Sequence, residues 1–153
     1  MLNLKVLTRD FGEIEAEQNN IIEFKHGLPG FEELKEFLLI PLSEDSPFMV
    51  IQSLDEVEVA FTVIEPGNFI SDYNFEISDN VEEELEISSI EDVLVLNIIT
   101  LQEKLKESTV NLSAPLVINI NKNLGRQVIL DDKRYELKYK FFEELINEEE
   151  VSS

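Results

Sequence analysis

Of the side chains that perform most protein chemistry, this chain carries one histidine, His26, and no cysteine. A serine nucleophile needs an imidazole base. His26 lies in the turn phrase His26-Gly27-Leu28-Pro29-Gly30-Phe31, and the chain has no Gly-x-Ser-x-Gly elbow. A lone histidine beside a Gly/Pro turn reads as structural. Without cysteine there is no thiol nucleophile, thiolate metal site, disulfide or redox pair, and zinc would lack both imidazole and sulfur ligands. With 5 glycines and no Gly-rich run before a helix, no loop is built to cradle phosphate. Carboxylates are plentiful, 33 in all, so pairs at glycosidase spacing arise by chance and carry no diagnostic weight. Glu82-Glu83-Glu84 and Asp131-Asp132 lack the alternating oxygen spacing of a Ca²⁺ loop; they read as a solvated helix face and a hairpin turn. These residues point away from an enzyme, and no metal or cofactor is expected.

The segment from Glu65 to Glu76 is different. It sets Phe69, Tyr73 and Phe75 among turn formers and acids. Rigid apolar anchors with a polar rim suit a protein interface. The competing reading puts Tyr73 and Phe75 on the core face of a strand, and composition does not separate the two.

The elements that must position these residues are mostly strands. Alternating or β-branched runs cover Glu13 to Glu17, Ile21 to Phe24, Phe37 to Leu42, Phe48 to Gln52 and Val57 to Ile64. Further runs cover Val93 to Leu101, Val110 to Ile120, Gln127 to Leu130 and Tyr135 to Phe142. Pro41, Ser43 to Pro47, Pro66-Gly67 and Asn121 to Gly125 separate them with turn chemistry. Helical spacing is confined to Phe31, Leu34, Phe37 and Leu38, to Asp79–Glu86 with Asp79 as the capping acid, to one turn at Ser88-Ser89-Ile90-Glu91, and to Phe141–Glu150. The pattern predicts a mainly β fold, a compact antiparallel barrel-like domain with one or two short helices. One domain over 1–142, with an acidic, frayed tail over 143–153, is the expected organisation.

Formal charge is −21 at pH 7, from 12 basic and 33 acidic residues. Residues 36–103 hold 17 of the acids and not one lysine or arginine. Lys122, Arg126, Lys133, Arg134, Lys138 and Lys140 form a basic stretch after it. This balance argues against direct binding of nucleic acid or anionic membrane. The acidic window serves either as a solvated face that keeps the protein monomeric or as a docking face for a basic protein. The start of the chain lacks a secretory pattern, and the longest apolar run, Val93 to Ile99, is interrupted by Asn97. The expected location is the cytoplasm.

Five phrases in order carry a resemblance. Gly27-Leu28-Pro29-Gly30-Phe31-Glu32 opens it, followed by Pro47-Phe48 with Leu54, Ala60-Phe61-Thr62-Val63 and Pro66. Asp72-Tyr73-x-Phe75-x-Ile77, then Thr109 through Asn119, then Gly125-Arg126-Gln127-Val128-Ile129-Leu130 complete it. Over residues 27–130 the chain resembles the bacterial flagellar assembly factor FliW family. It departs at Gly67-Asn68, where the family often has bulkier residues, and the charged tail beyond Phe142 lies outside the likeness.

The resemblance implies a non-enzymatic regulator with a compact barrel-like β-domain and two protein partners. One is the RNA-binding translational repressor CsrA, whose repression of flagellin synthesis such factors relieve; the other is flagellin, which competes for the factor. Partner-binding residues are then expected at Phe69, Asp72, Tyr73, Phe75, Glu76, Glu82, Glu83 and Glu84. Two alternatives stand beside this: an acidic mimic that plugs an RNA groove directly, and a flagellin chaperone that does not bind CsrA. Asn111 and Asn119 are expected to satisfy backbone groups at turns, and Gly27, Pro29 and Gly30 to form a turn.

Overall fold

Ten strands frame the fold in a computed structural model that describes residues 3–140 apart from Phe69 and Ser71. Strands β1 (Asn3–Thr8) and β2 (Gly12–Glu17) form a separate antiparallel hairpin in which Thr8 pairs with Gly12. Arg9 ties it to the rest: its N–H donates to Gln52 Oε1 at 2.9 Å and its guanidinium to the Ala60 carbonyl at 2.8 Å.

The remaining strands are β3 (Ile21–Phe24), β4 (Glu36–Pro41), β5 (Phe48–Ser53), β6 (Ala60–Ile64), β7 (Val93–Thr100), β8 (Thr109–Val110), β9 (Leu116–Asn119) and β10 (Leu124–Gln127). They run in the order β6-β5-β4-β3-β10-β9-β7-β8, and a further β6–β7 pairing closes the first seven into a barrel. Val63 opposite Ile98 and Ile64 opposite Asn97 make that seam. Closure removes the free edges an open sheet would expose. Every barrel pairing is antiparallel except β3 with β10, where Leu124 and Gly125 lie beside Glu23 and Phe24.

Inward side chains fill the barrel. Phe24, Phe37, Ile51, Val63, Leu96, Leu116 and Ile118 are each fully buried, and Phe24 meets Phe37 edge to face at 5.6 Å between ring centres. Burial of this kind stabilises by roughly 1.5–3 kcal/mol per large apolar side chain. Gly125 is required by the packing: a Cβ there would stand 2.7 Å from the Phe24 ring.

Several sequence expectations change. Phe31, Leu34, Phe37 and Leu38 do not form a helix; Phe31 bridges Leu28, residues 32–33 are turn and Phe37 and Leu38 lie on β4. Their spacing reflects tertiary contacts, since Phe31 packs edge-on to Phe61 and Phe37 packs on both Phe24 and Phe61. The last barrel strand is Leu124–Gln127 rather than Gln127 to Leu130, and the Val110–Ile120 run splits into β8 and β9 around an Asn111 turn. From Tyr135 to Lys140 there is no strand, only a bridge between Tyr139 and Val110. The proposed C-terminal helix over Phe141–Glu150 lies outside the described residues.

Both asparagine expectations hold. Asn111 Oδ1 accepts from the N–H groups of Ser113 and Ala114 at 3.0 and 3.1 Å. Asn119 Oδ1 accepts from the N–H groups of Asn121 and Lys122. Gly27 and Gly30 take positive φ in the turn after β3, and a Cβ on Gly27 would stand 2.6 Å from the Glu32 backbone.

Candidate functional site

The acidic window supplies the barrel's outer decoration between β6 and β7. Its one α-helix among the described residues, α1 (Asp79–Glu84), is capped by Ser78 rather than Asp79: the Ser78 hydroxyl accepts from the Val81 N–H at 3.3 Å. Asp79 therefore sits in the first turn, where an acid complements the positive end of the helix. Val81 and Leu85 bury against Val117 and Leu124 and fix which face α1 shows to solvent. The helix ends in a Schellman-type turn. Ile87 N–H donates to the Glu82 carbonyl, Glu86 N–H to the Glu83 carbonyl, and Glu86 takes the left-handed φ of +54°. Asn119 on β9 holds that turn, with its Nδ2 donating to the carbonyls of Leu85 at 2.8 Å and Glu86 at 3.1 Å. Ser89 caps the next single turn, Ile90–Asp92, as its position in the sequence predicts.

Between these turns and residues 75–77 lies an open groove of about 430 Å³. Phe75, Ile77, Ile87, Ile90 and Val93 make its apolar wall, and among the described residues its charged lining is Glu76 and Glu82. Ile90 is 85% exposed, unusual for so apolar a side chain. Phe75 also borders a second groove of about 340 Å³ with Glu65, Pro66, Ile70, Tyr73 and Val95. A third, of about 530 Å³, is lined by Phe75 with Glu76, Leu130, Asp131, Asp132 and Arg134. Phe75 is thus the ridge shared by three depressions.

Tyr73 supports that ridge from below. Its ring meets Phe75 at 5.4 Å and Tyr135 at 4.7 Å, both edge to face. Its hydroxyl donates to the Leu112 carbonyl at 2.6 Å and accepts from Asn97 Nδ2 at 3.0 Å. Burial pushes the phenol up to about 12, against a smaller opposing effect of the Asn97 hydrogen bond. Tyr135 Oη accepts from the Asn74 N–H at 2.8 Å, pinning the same segment.

The structure thereby sorts the expected interface residues. Phe75, Glu76 and Glu82 line one groove; Asp72 and Glu83 are exposed nearby in sequence but do not line it. Tyr73 packs against a buried cluster, as the core reading expects, but from an irregular segment rather than a strand, and it also lines the second groove. Phe69 lies outside the described residues. Glu84 is engaged elsewhere: its carboxylate pairs with His26 Nε2 and with Arg126 at 2.7 Å. Burial alone would raise its pKa, but the hydrogen bonds from Arg126 and His26 outweigh that and hold it below the usual carboxylate range. His26 therefore staples the turn after β3 to the end of α1.

Sequence reasoning missed Ile77, Ile87, Ile90 and Val93 as groove wall. The available signal was an isoleucine directly after the capping serines in an acidic stretch. Among the described residues no three of His, Asp and Glu stand close enough to hold a metal ion, and no helix is long and apolar enough to cross a membrane.

Comparison with known proteins adds a family. The model for the FliW protein family matches residues 5–141. The flagellar assembly factor FliW of Caldicellulosiruptor saccharolyticus is 44% identical over 140 residues, 92% of this chain and 91% of that one. That of Bacillus licheniformis is 47% identical over 130 residues, 85% and 91% of the two chains. A crystal structure of the flagellar assembly factor FliW superposes with a TM-score of 0.83 at 37% identity, covering 90% of this chain and 96% of the other. With the barrel, the loop phrases and this near full-length identity in agreement, the chain belongs to the FliW family.

Proposed function

We propose that this protein is a non-enzymatic regulator of flagellar assembly that works by switching protein partners in the cytoplasm. In this reading it binds the translational repressor CsrA, relieving repression of flagellin synthesis, and flagellin competes for it. Rising flagellin then frees the repressor, and export of flagellin reverses the effect. The free protein is a monomer, with residues 1–142 as one domain.

The observation that carries the CsrA half is the charge of the Phe75 groove. Its walls among the described residues come from 36–103, so an apolar floor is bordered there by carboxylates and by no cation. Such a surface suits an apolar anchor flanked by Lys or Arg, as an RNA-binding protein can offer. Opposite fields also steer encounter, an effect that weakens as salt shortens the screening length. Phe75, Glu76 and Glu82 are the contacts this assigns first, with Asp72, Tyr73 and Glu83 at the rim; Glu84 acts through its hold on α1.

The test is titration of the purified protein with CsrA and with flagellin, separately and in competition, at several salt concentrations. Glu76→Lys with Glu82→Lys should slow CsrA association about tenfold at low salt and flatten its salt dependence. Unchanged rates would remove the groove from the contact. Simple competition between RNA and this protein for CsrA would favour the mimic. Retained flagellin binding with no CsrA binding would favour a chaperone.

A further inference from the structure

The β1–β2 hairpin stands outside the barrel as a sheet of two strands. Among the described residues no backbone–backbone hydrogen bond joins residues 3–17 to the barrel. The hairpin is held down instead by Arg9, on Gln52 and Ala60, and by the burial of Val6 and Thr8. Both buried residues lie on β1, and no residue of β2 is buried. β2 is therefore the outer strand. In an antiparallel pair alternate residues turn their N–H and C=O groups away from the partner strand. The free side of β2 is thus a row of donors and acceptors with no backbone partner among the described residues.

The side chains along that edge indicate what would complete it. Glu13, Glu15 and Glu17 share one face of β2 and are exposed, while Ile14 and Ala16 share the other and are half-buried. Across the hairpin the three carboxylates stand opposite Leu7, Lys5 and Asn3, so Lys5 is the one cation facing them from β1. A second copy paired β2 against β2 would set two rows of carboxylates side by side, and like charges placed opposite each other resist pairing. A strand with lysine or arginine at every second residue has the opposite relation. Its cations would flank Glu13, Glu15 and Glu17, and its intervening apolar side chains would extend the row of Ile14 and Ala16.

We propose that the outer edge of β2 is a docking site for an extended segment of another protein, basic at alternate residues and apolar between them, which adds a third strand to the hairpin. A two-stranded sheet is marginal by itself, and a third strand supplies both backbone hydrogen bonds and apolar cover. No β2 residue lines the Phe75 groove, so this site stands or falls separately from the partner switch.

Hydrogen exchange on the full chain tests it, with an acetylated and amidated peptide of alternating lysine and valine as the probe. Saturating peptide should slow exchange about tenfold at alternate β2 amides, because the other set already faces β1, and leave the β4 and β5 amides unchanged. Two further peptides, N-methylated at every lysine or at every valine, keep the charge but lose one set of backbone donors each. One of the two should fail to bind, since only one set can face β2. Glu13→Lys, Glu15→Lys and Glu17→Lys together, all at exposed positions, should weaken binding about tenfold or more, with the β1 amides reporting that the hairpin is intact. Glu76→Lys with Glu82→Lys should leave the protection of β2 unchanged. Equal binding by both methylated peptides, protection that misses β2, or undiminished binding by the triple variant overturns the proposal. Protection of β2 that rises with protein concentration in the absence of peptide overturns it in favour of a second copy as the occupant.

Discussion

Asn119→Ala is the substitution whose consequence the structure specifies most fully. The side chain is 1% exposed and bridges three pieces of backbone. It donates to the Leu85 and Glu86 carbonyls at 2.8 and 3.1 Å and accepts from the Asn121 N–H at 3.0 Å; the Lys122 contact, at 3.3 Å, is weaker. Three good hydrogen bonds at about 1 kcal/mol each, with the amide's partners left in a buried setting, give a loss of about 3 kcal/mol. That is a large share of the 5–15 kcal/mol typical of a whole domain. The loss should be local in its first effect. The amides of Leu85 and Ile87, which donate within α1 and its terminal turn, should lose protection before those of the barrel strands. Since α1 carries Glu82, binding at the groove should weaken as well. Urea unfolding followed by far-ultraviolet circular dichroism measures the first quantity, and it should shift the midpoint with the slope unchanged. Hydrogen exchange measures the second. A loss below 1 kcal/mol, or a larger loss with α1 as protected as in the wild type, would refute the argument.

Other outcomes follow from single contacts. Glu86→Gly should stabilise the fold by about 1 kcal/mol in the same urea assay, because the left-handed φ of +54° strains a residue with a Cβ. Gly125→Ala should cost roughly 1–3 kcal/mol, since the added methyl collides with a fully buried phenylalanine ring; a neutral result would mean Phe24 can move aside. Tyr73 keeps its proton up to about 12 when folded, against about 10 for a free tyrosine. The folded state then binds more protons than the unfolded state in that interval, so stability falls as pH rises from about 10 to 12; Tyr73→Phe should abolish that part of the decline. Glu84 has the opposite sign. Its folded pKa is depressed, so its contribution is present above the ordinary carboxylate pKa and lost as pH falls through the folded value. Acid titration of Glu84→Gln should show a shallower loss of stability than the wild type.

Much of the fold was legible because barrel strands need β-branched and aromatic residues and end at turn formers. Ile21–Phe24 and Phe48–Ser53 follow that rule closely. The errors fall where a contact distant in sequence overrides local pattern. β10 contains Gly125, which argues against a strand locally; it belongs there because a bare backbone is the only thing that fits beside the Phe24 ring. Phe31 and Phe37 imitate helical spacing because both rings pack around Phe61, although the chain between them is not helical. In the site, Glu82 and Glu84 are indistinguishable in sequence. Two positions apart on α1, one lines the groove while the other turns to Arg126 on β10 and His26 beyond β3.

The sequence by itself determined the class of fold, the absence of thiol chemistry and the concentration of charge, because these depend on residue type, local spacing and counts. Its phrases also carried the family resemblance. Only the tertiary structure decided which carboxylates are available to a partner, that Phe75 is a ridge between three grooves and that Asn119 holds α1 in place. Those facts depend on which residues meet across the barrel, and a one-dimensional pattern does not contain that information.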